Sequence, residues 1–218
     1  MRRMIAIATA GVVLVVLVVA QLVLPGIVAD RLRDRLSKSG SVISVEVHAF
    51  PAIKLLWNHA DRVVVRVGRY ASNTQSLAGM LGDTSGVGSL DASAGELDSG
   101  LLTLREAALR KRGDSLVGTA RVTEADLRRA IPVLQSVVPV ASSQDQLTLR
   151  GTASLFGVTA TVDATVSAQN GNLVVIPNVP FGGFATITVF SDRRVKVQSV
   201  SASPERGGFN VTATGRLR

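Results

Sequence analysis

The chain contains no cysteine, and this absence excludes several kinds of feature. Without cysteine there is no disulfide, no thiolate metal site and no lipid attachment through a cysteine side chain. The fold must therefore be held by packing alone. Aromatic residues make up only 4% of the chain. The stacking platforms that binders of single-stranded nucleic acid need are therefore missing, and we expect no nucleic-acid partner.

Residues suited to catalysis are few and scattered. The two histidines, His48 and His59, fall in different predicted elements. No HExxH, GxSxG, P-loop or DxD motif occurs, and no serine has a recognisable base partner. Glu124 and Asp126 fit the first turn of a helix, where carboxylates offset the helix dipole. We therefore expect no catalytic residue, no metal and no cofactor. An enzyme acting on lipid or glycan would need polar residues such as His48, His59 and Asp61 to cluster.

Charge is absent from one long stretch, Ile5 to Leu24. Twenty helical residues span about 30 Å, which is the thickness of the hydrocarbon core of a bilayer. Pro25 and Gly26 follow, a pair that is predicted to end the helix. Two interpretations stay open. We favour a retained membrane anchor over a cleaved signal peptide, because the apolar core of a signal peptide is normally only about 7–15 residues long.

The rest of the chain is predicted to lie outside the cytoplasmic membrane. Basic residues flank the apolar stretch on both sides, but a long C-terminal domain translocates largely regardless of its charge. We expect a single-pass cell-membrane protein whose domain faces the outer (periplasmic or cell-wall) side. Its predicted parts are a transmembrane anchor or signal peptide at 1–26, an amphipathic juxtamembrane helix at 27–40 and one α+β domain at 41–218.

The net charge is +8, with twenty arginines and four lysines against sixteen acidic residues. This balance indicates either an acidic partner, such as anionic lipid headgroups, or a compositional bias toward arginine. Two basic groups are candidates for contact with headgroups or the membrane surface, although each could equally be a solvated face. These residues are Arg31, Arg33, Arg35 and Lys38, close to the apolar stretch, and Arg62 and Arg66 on a predicted strand.

The remaining pattern predicts a sheet-rich domain. Ile27, Val28, Leu32 and Leu36 share one helical face, which indicates either a helix at the membrane interface or one covering an end of the core. From Val42 the apolar period changes to two, which is typical of half-buried strands. The clearest strand is Val158–Ala168, and a hairpin is predicted to turn at Lys111–Asp114.

A helix is predicted to follow this hairpin. Thr123 and Asp126 resemble a capping box, and the apolar spacing continues to Val138. The predicted fold is therefore α+β. An N-terminal transmembrane helix is followed by one long, curved antiparallel sheet that wraps partly around the helix from Glu124 to Val138.

The apolar faces of the predicted strands carry valine and alanine rather than larger side chains. Small residues on a long curved sheet leave room for a helix or an acyl chain against it. Composition alone favours the other interpretation, an ordinary tightly packed sheet.

Three stretches occur in an order that resembles a known family. They are VISVEVHAFPAIKLLWNHADRVVVRV (Val42–Val67), LLTLREAALRKRGDSLVGTARVTEADLRRAIP (Leu101–Pro132) and NGNLVVIPNVPFGGF (Asn170–Phe184). With the preceding helices they resemble the LmeA-like phospholipid-binding proteins of actinobacterial cell envelopes, whose domain is similar to the tubular lipid-binding (TULIP-like) fold. Phe50–Pro51 followed by Leu55–Trp57 looks like the family's Pro-apolar-leucine signature. ARVTEADL (Ala120–Leu127) looks like its strand-to-helix junction.

This resemblance implies non-catalytic binding of a phospholipid, with an anionic one favoured, in an apolar groove at the cell envelope. Such binding would support lipid or lipoglycan handling, with the cytoplasmic membrane as the second partner. Acyl chains are then expected to lie against Leu55, Leu56, Trp57, Leu127, Ile131 and Leu134. The alternative is a membrane-anchored structural or scaffolding module of a cell-wall or transport complex, with a closed core.

Overall fold

The structure is a computed structural model that describes residues 2–57, 59–72, 84–100, 102–130, 134–142, 146–155, 158–178 and 186–218. Within these ranges the chain is mostly strand, with two α-helices and a 3₁₀ turn. The helices are α1 (Arg2–Ser37) and α2 (Glu124–Ala130), and the 3₁₀ turn is Ala52–Trp57. The strands are β1 (Gly40–His48), β2 (Ala60–Ala71), β3 (Val87–Asp98), β4 (Thr103–Arg112), β5 (Ser115–Thr123), β6 (Leu134–Ser142), β7 (Gln146–Leu155), β8 (Val158–Gln169), β9 (Asn172–Pro177), β10 (Ile187–Phe190), β11 (Val195–Glu205) and β12 (Gly208–Leu217).

Helix α1 runs through Pro25 without a break, so the prediction that Pro25 and Gly26 end it is wrong. A proline removes one hydrogen bond and bends a helix, but packing can compensate for that loss. Leu24, Val28 and Leu32 pack against the core formed by β1 and β2, and Leu36 is part of that core. This end of α1 therefore covers one end of the core. No helix among the residues described with their side chains is long and apolar enough to cross a membrane.

The described strands form two sheets rather than the single predicted one. The larger sheet has the order β1-β2-β3-β4-β5-β12-β11, and the smaller has the order β10-β9-β8-β7-β6. The prediction of an antiparallel sheet is also wrong at one place, because β2 and β3 pair in parallel. The hairpin β4–β5 and the long strand β8 are confirmed. The likeness to a tubular lipid-binding fold stays a prediction.

Helix α2 is much shorter than predicted. It ends at Ala130, and β6 begins at Leu134, so the predicted helix to Val138 is wrong over its second half. The sequence there explains the change, because Pro132 cannot donate a helical hydrogen bond and β-branched valines favour a strand. The sheet therefore does not wrap around this helix. Instead, α2 connects the large sheet to the first strand of the small one.

The two sheets pack face to face at one end of the large sheet. Leu147 and Val166 of the small sheet meet Val200 of β11 in a buried cluster. A neighbouring cluster joins Val137 to Val122 and Phe209. Helix α1 covers the other end of the large sheet. The middle strands, β3 and β4, therefore lie between α1 on one side and the small sheet on the other.

Candidate functional site

A large apolar cleft lies between α1 and the small sheet, and it has a volume of about 2450 Å³. The side chains that line it are mainly valine, leucine and alanine, and they come from both helices and both sheets. A small-molecule pocket usually measures about 300–1,000 Å³, so this cleft suits a larger apolar ligand. The prediction of an ordinary tightly packed sheet, which composition alone favours, is therefore wrong.

Strands β3 and β4 supply small residues at the centre of the cleft. Ala92 and Ala94 of β3 lie beside Leu109 and Ala107 of β4, and all four line the cleft. A β-bulge in β4, with Glu106 at a φ of 49°, brings Ala107 and Leu109 to this face. On the opposite wall, the small apolar face of β8 contributes Ala160, Val162, Ala164 and Val166. Short side chains on both sheets therefore leave the space between them open.

Charged residues meet the cleft at the α1 end. Arg31, Asp34 and Arg35 are the charged side chains among the described residues that line it. Arg31 and Arg35 are four residues apart and therefore share one face of the helix. Neither has an ion-pair partner in the part of the chain that the structure describes. Two unpaired guanidinium groups at the rim of an apolar cleft can bind an anionic group.

The structure brings together some of the six predicted apolar residues. Leu55 is buried and lines the cleft, and Leu127 of α2 lines it from the other side. Trp57 lines the cleft at its edge, while Leu56 is exposed and does not line it. Leu134 is the first residue of β6, and Ile131 lies outside the described residues.

The predicted basic residues fall into separate places. Arg33 and Lys38 are exposed and do not line the cleft, unlike Arg31 and Arg35. Arg62 and Arg66 alternate along β2 with cleft-lining valines and so lie on the other face of the sheet. There Arg62 pairs with Asp91 at 3.1 Å. Arg66 pairs with Glu46 at 3.7 Å.

Polar groups near His59 support the loop between β1 and β2. Asp61 accepts hydrogen bonds from the backbone N–H of Phe50 at 2.6 Å and from Lys54 at 3.2 Å. The Phe50 bond, followed by the Lys54 bond, lowers the pKa of the Asp61 carboxyl. The ring nitrogen Nδ1 of His59 lies 2.7 Å from the carbonyl oxygen of Trp57. These groups fix the backbone of the loop in place.

Asp126 holds α2 at the edge of the cleft. Arg105 donates two hydrogen bonds to the buried Asp126 carboxylate, at 2.7 and 3.1 Å. Arg129 donates a third at 2.9 Å. The Thr123 hydroxyl donates a fourth at 2.6 Å and accepts one from the Asp126 backbone, which confirms Thr123 as the N-cap. The bonds from Arg105, above all, lower the pKa of Asp126 from 3.8 to about 2.

We expect D126N to lower the free energy of unfolding by about 2 kcal/mol at neutral pH. Because the folded-state pKa is depressed, this stabilisation is complete above pH 4 and is lost as pH falls toward 2. Urea unfolding of both proteins at pH 7, 4 and 2.5 measures the difference. D163N is the matched control, because Asp163 pairs with Arg150 on a more exposed surface, and we expect a smaller change. An equal loss at pH 7 and pH 2.5 would contradict the assignment.

Most of the cleft was missed by sequence reasoning. The valines of β2, the alanines of β3 and β4 and the face of β8 were not among the predicted site residues. One signal is present in the sequence, since the alternation of Val158–Ala168 predicts a strand with a small apolar face. No local pattern indicated that β3 and β8 line the same cavity, because they belong to different sheets.

The sequence matches the LmeA-like phospholipid-binding family over residues 15–215. The chain belongs to this family. The matched region contains the cleft-lining parts of α1, both sheets and α2. The cleft described above is therefore a feature of the LmeA-like part of the chain.

The chain is also similar to a solved structure, the STAR-related lipid transfer protein (fragment 25-204) from Xanthomonas axonopodis. The two share 11% identity with a TM-score of 0.21, over 55% of this chain and 78% of that chain. A likeness at this level carries no argument about fold or ligand. A comparison with curated protein sequences gives no match.

Proposed function

We propose that the chain binds a phospholipid in the cleft without catalysis, that an anionic phospholipid is preferred, and that this binding supports lipid or lipoglycan handling at the cell envelope. The observation that carries the proposal is the combination of a cleft of about 2450 Å³, lined by small apolar residues, with charged side chains at the α1 end. Membership of a phospholipid-binding family supports the same conclusion.

The apolar lining provides the binding energy for the acyl chains. Each methylene moved from water into the cleft contributes about 0.8 kcal/mol. A dozen methylenes therefore contribute on the order of 10 kcal/mol before the entropic cost of binding. Leu55 and Trp57 line the cleft from the 3₁₀ turn and Leu127 lines it from α2, so an acyl chain can touch all three only by following the cleft.

The headgroup is assigned to Arg31 and Arg35. Guanidinium groups form bidentate hydrogen bonds with phosphate, and the two residues share a helical face. Arg33 and Lys38 are exposed on the same segment, and we assign them to the surface of an anionic bilayer. Arg62 and Arg66 are left out of the proposed site because they are paired on the other face of the sheet.

We expect R31Q/R35Q to reduce the preference of the chain for phosphatidylglycerol over phosphatidylcholine by about tenfold. Both headgroups contain phosphate, but only phosphatidylglycerol has a net negative charge, and the variant removes the two positive charges that favour it. Native mass spectrometry of the full chain with equimolar lipids measures the ratio of the two adducts. R62Q/R66Q removes the same net charge on the other face and should leave the ratio unchanged. Equal losses in both variants would show that the preference comes from net charge rather than from the cleft.

The membrane location rests on the first part of the chain. The stretch Ile5–Leu24 carries no charge and, as a helix, is about as long as the bilayer core is thick. We propose that it anchors the chain in the cytoplasmic membrane, with the cleft on the outer side. Extraction of cell membranes with alkaline carbonate is the test. Release of the full chain into the supernatant would contradict a transmembrane anchor.

A further inference from the structure

Three large apolar side chains project into solvent from the segment between β1 and β2. Phe50 is 75% exposed, and Leu56 and Trp57 are each 64% exposed. The 3₁₀ turn accounts for this arrangement, because residues three apart lie on the same side of it. Ala52 and Leu55 share the buried side, which leaves Leu56 and Trp57 facing away. We call Phe50, Leu56 and Trp57 the basal patch. Exposed apolar patches of this kind mark interaction surfaces.

The basal patch is held in place by hydrogen bonds. Asp61 binds the backbone N–H of Phe50 at 2.6 Å and the side chain of Lys54 at 3.2 Å. The backbone N–H of His59 donates to the carbonyl of Lys54 at 3.1 Å. The apolar side chains are therefore presented by a preformed loop, and little conformational entropy is lost when the patch is covered.

Gln21 of α1 attaches this loop to the helix. Its side-chain amide donates to the carbonyl of Ala49 at 2.9 Å and accepts from the backbone N–H of Ala52 at 2.7 Å. The two bonds flank Phe50 and Pro51. The base of the loop is therefore fixed at the level of residue 21 along the helix axis.

This level lies near the end of the uncharged stretch. Gln21 precedes Leu24 by three residues, which is about 5 Å of helix. Val18 and Val23 of α1 are also exposed at this level and add apolar surface. Arg31 lies about 15 Å beyond Gln21 along the helix. Apolar and aromatic side chains thus come at the end of the apolar stretch and basic ones further on, which is the order found across a membrane interface.

We propose that the basal patch inserts into the interface of a phospholipid bilayer and holds one end of the cleft against it. The inference rests on the proposed function, which places the first part of α1 in the membrane. Trp57 belongs both to the patch and to the cleft lining, and His59 and residues 84–86 line the cleft beside it. A phospholipid can then pass between bilayer and cleft without crossing water.

Tryptophan quenching by brominated lipids tests this contact in the full chain. The chain has one tryptophan, Trp57, but a lipid in the cleft would also quench it. The probe is therefore moved to positions that do not line the cleft, in W57F/F50W and W57F/L56W. Each protein is reconstituted in vesicles of phosphatidylcholine and phosphatidylglycerol that carry bromine at carbons 6 and 7 of one acyl chain.

W57F/I43W is the matched control. Ile43 is 66% exposed and does not line the cleft. It lies seven residues from Phe50, mostly along β1, which is roughly 23 Å of extended chain. We expect quenching at positions 50 and 56 to be at least about threefold stronger than at position 43, because interfacial residues reach roughly 5–10 Å into the headgroup and acyl boundary. Circular dichroism checks that the three variants fold alike.

Quenching at positions 50 and 56 that is no stronger than at position 43 would overturn the inference. That result is expected if the basal patch binds a protein partner instead of the bilayer. If the cleft still carries lipid in such vesicles, the proposed function stands without this contact. A chain that does not enter vesicles at all would instead overturn the proposed membrane anchor, and the inference with it.

Discussion

We expect A92W/A94W to reduce the amount of phospholipid bound to the full chain by at least about tenfold. Both alanines line the cleft from β3, two residues apart on the same face of the strand. Two indole rings would occupy the space between the sheets that an acyl chain needs. Displacing only two methylenes removes about 1.6 kcal/mol of binding energy, which corresponds to more than a tenfold loss of affinity.

Native mass spectrometry of the full chain, released from detergent micelles, measures the lipid adducts. A71W/A141W is the matched control, because it adds two tryptophans at exposed positions that do not line the cleft. Its lipid content should match that of the unsubstituted chain. Unchanged adducts in A92W/A94W, with an unchanged circular dichroism spectrum, would show that the lipid lies elsewhere.

Replacement of Leu147 by alanine is expected to give the largest loss of stability. Leu147 is 2% exposed and packs with Val166 against Val200 of the other sheet, which is 1% exposed. Removing a buried leucine side chain costs about 2–5 kcal/mol, because the surroundings collapse only partly into the cavity. We expect L147A to fall within this range, since rigid strands on both sides limit that collapse.

Urea unfolding at neutral pH measures this loss. L56A is the control for the same change of side chain at an exposed position, and surface substitutions of this kind usually alter stability by no more than about 0.5 kcal/mol. If L147A and L56A had similar midpoints, the two sheets would not depend on this cluster for their contact.

Local periodicity predicted several elements of the fold well. The alternation of Val158–Ala168 predicted β8, and the hairpin between β4 and β5 turns within the predicted Lys111–Asp114. Thr123 caps α2 as expected. Each of these features depends on residues close together in the chain. A period-two pattern or a capping residue is therefore enough to predict it.

The cleft could not be predicted in the same way. Residues 79–100 are rich in glycine, serine, aspartate and alanine, which predicts a poor core segment with one weak strand near Ser89–Leu97. In the structure Val87–Asp98 is β3, a twelve-residue strand inside the large sheet. Its parallel partner and its facing sheet are set by long-range contacts, so no local pattern shows that its small residues leave a cavity.

The role of Asp126 was also underestimated. A carboxylate in the first turn of a helix is accounted for by the helix dipole and by the capping box with Thr123, so no local pattern indicates a further partner. Its main partner, Arg105, lies 21 residues earlier in the chain. The pairing depends on the β-hairpin that folds β4 back beside β5.

The position of β12 has a consequence for how the chain folds during synthesis. This strand lies between β5 and β11, and Gly208 pairs with Thr123, 85 residues earlier. At a synthesis rate of roughly 5–20 residues per second, β5 waits roughly 4–17 seconds for its partner. During that time its free edge can pair with other chains. The large sheet can be completed only after residue 208 has been synthesised, so the chain remains incompletely folded until its synthesis is nearly finished.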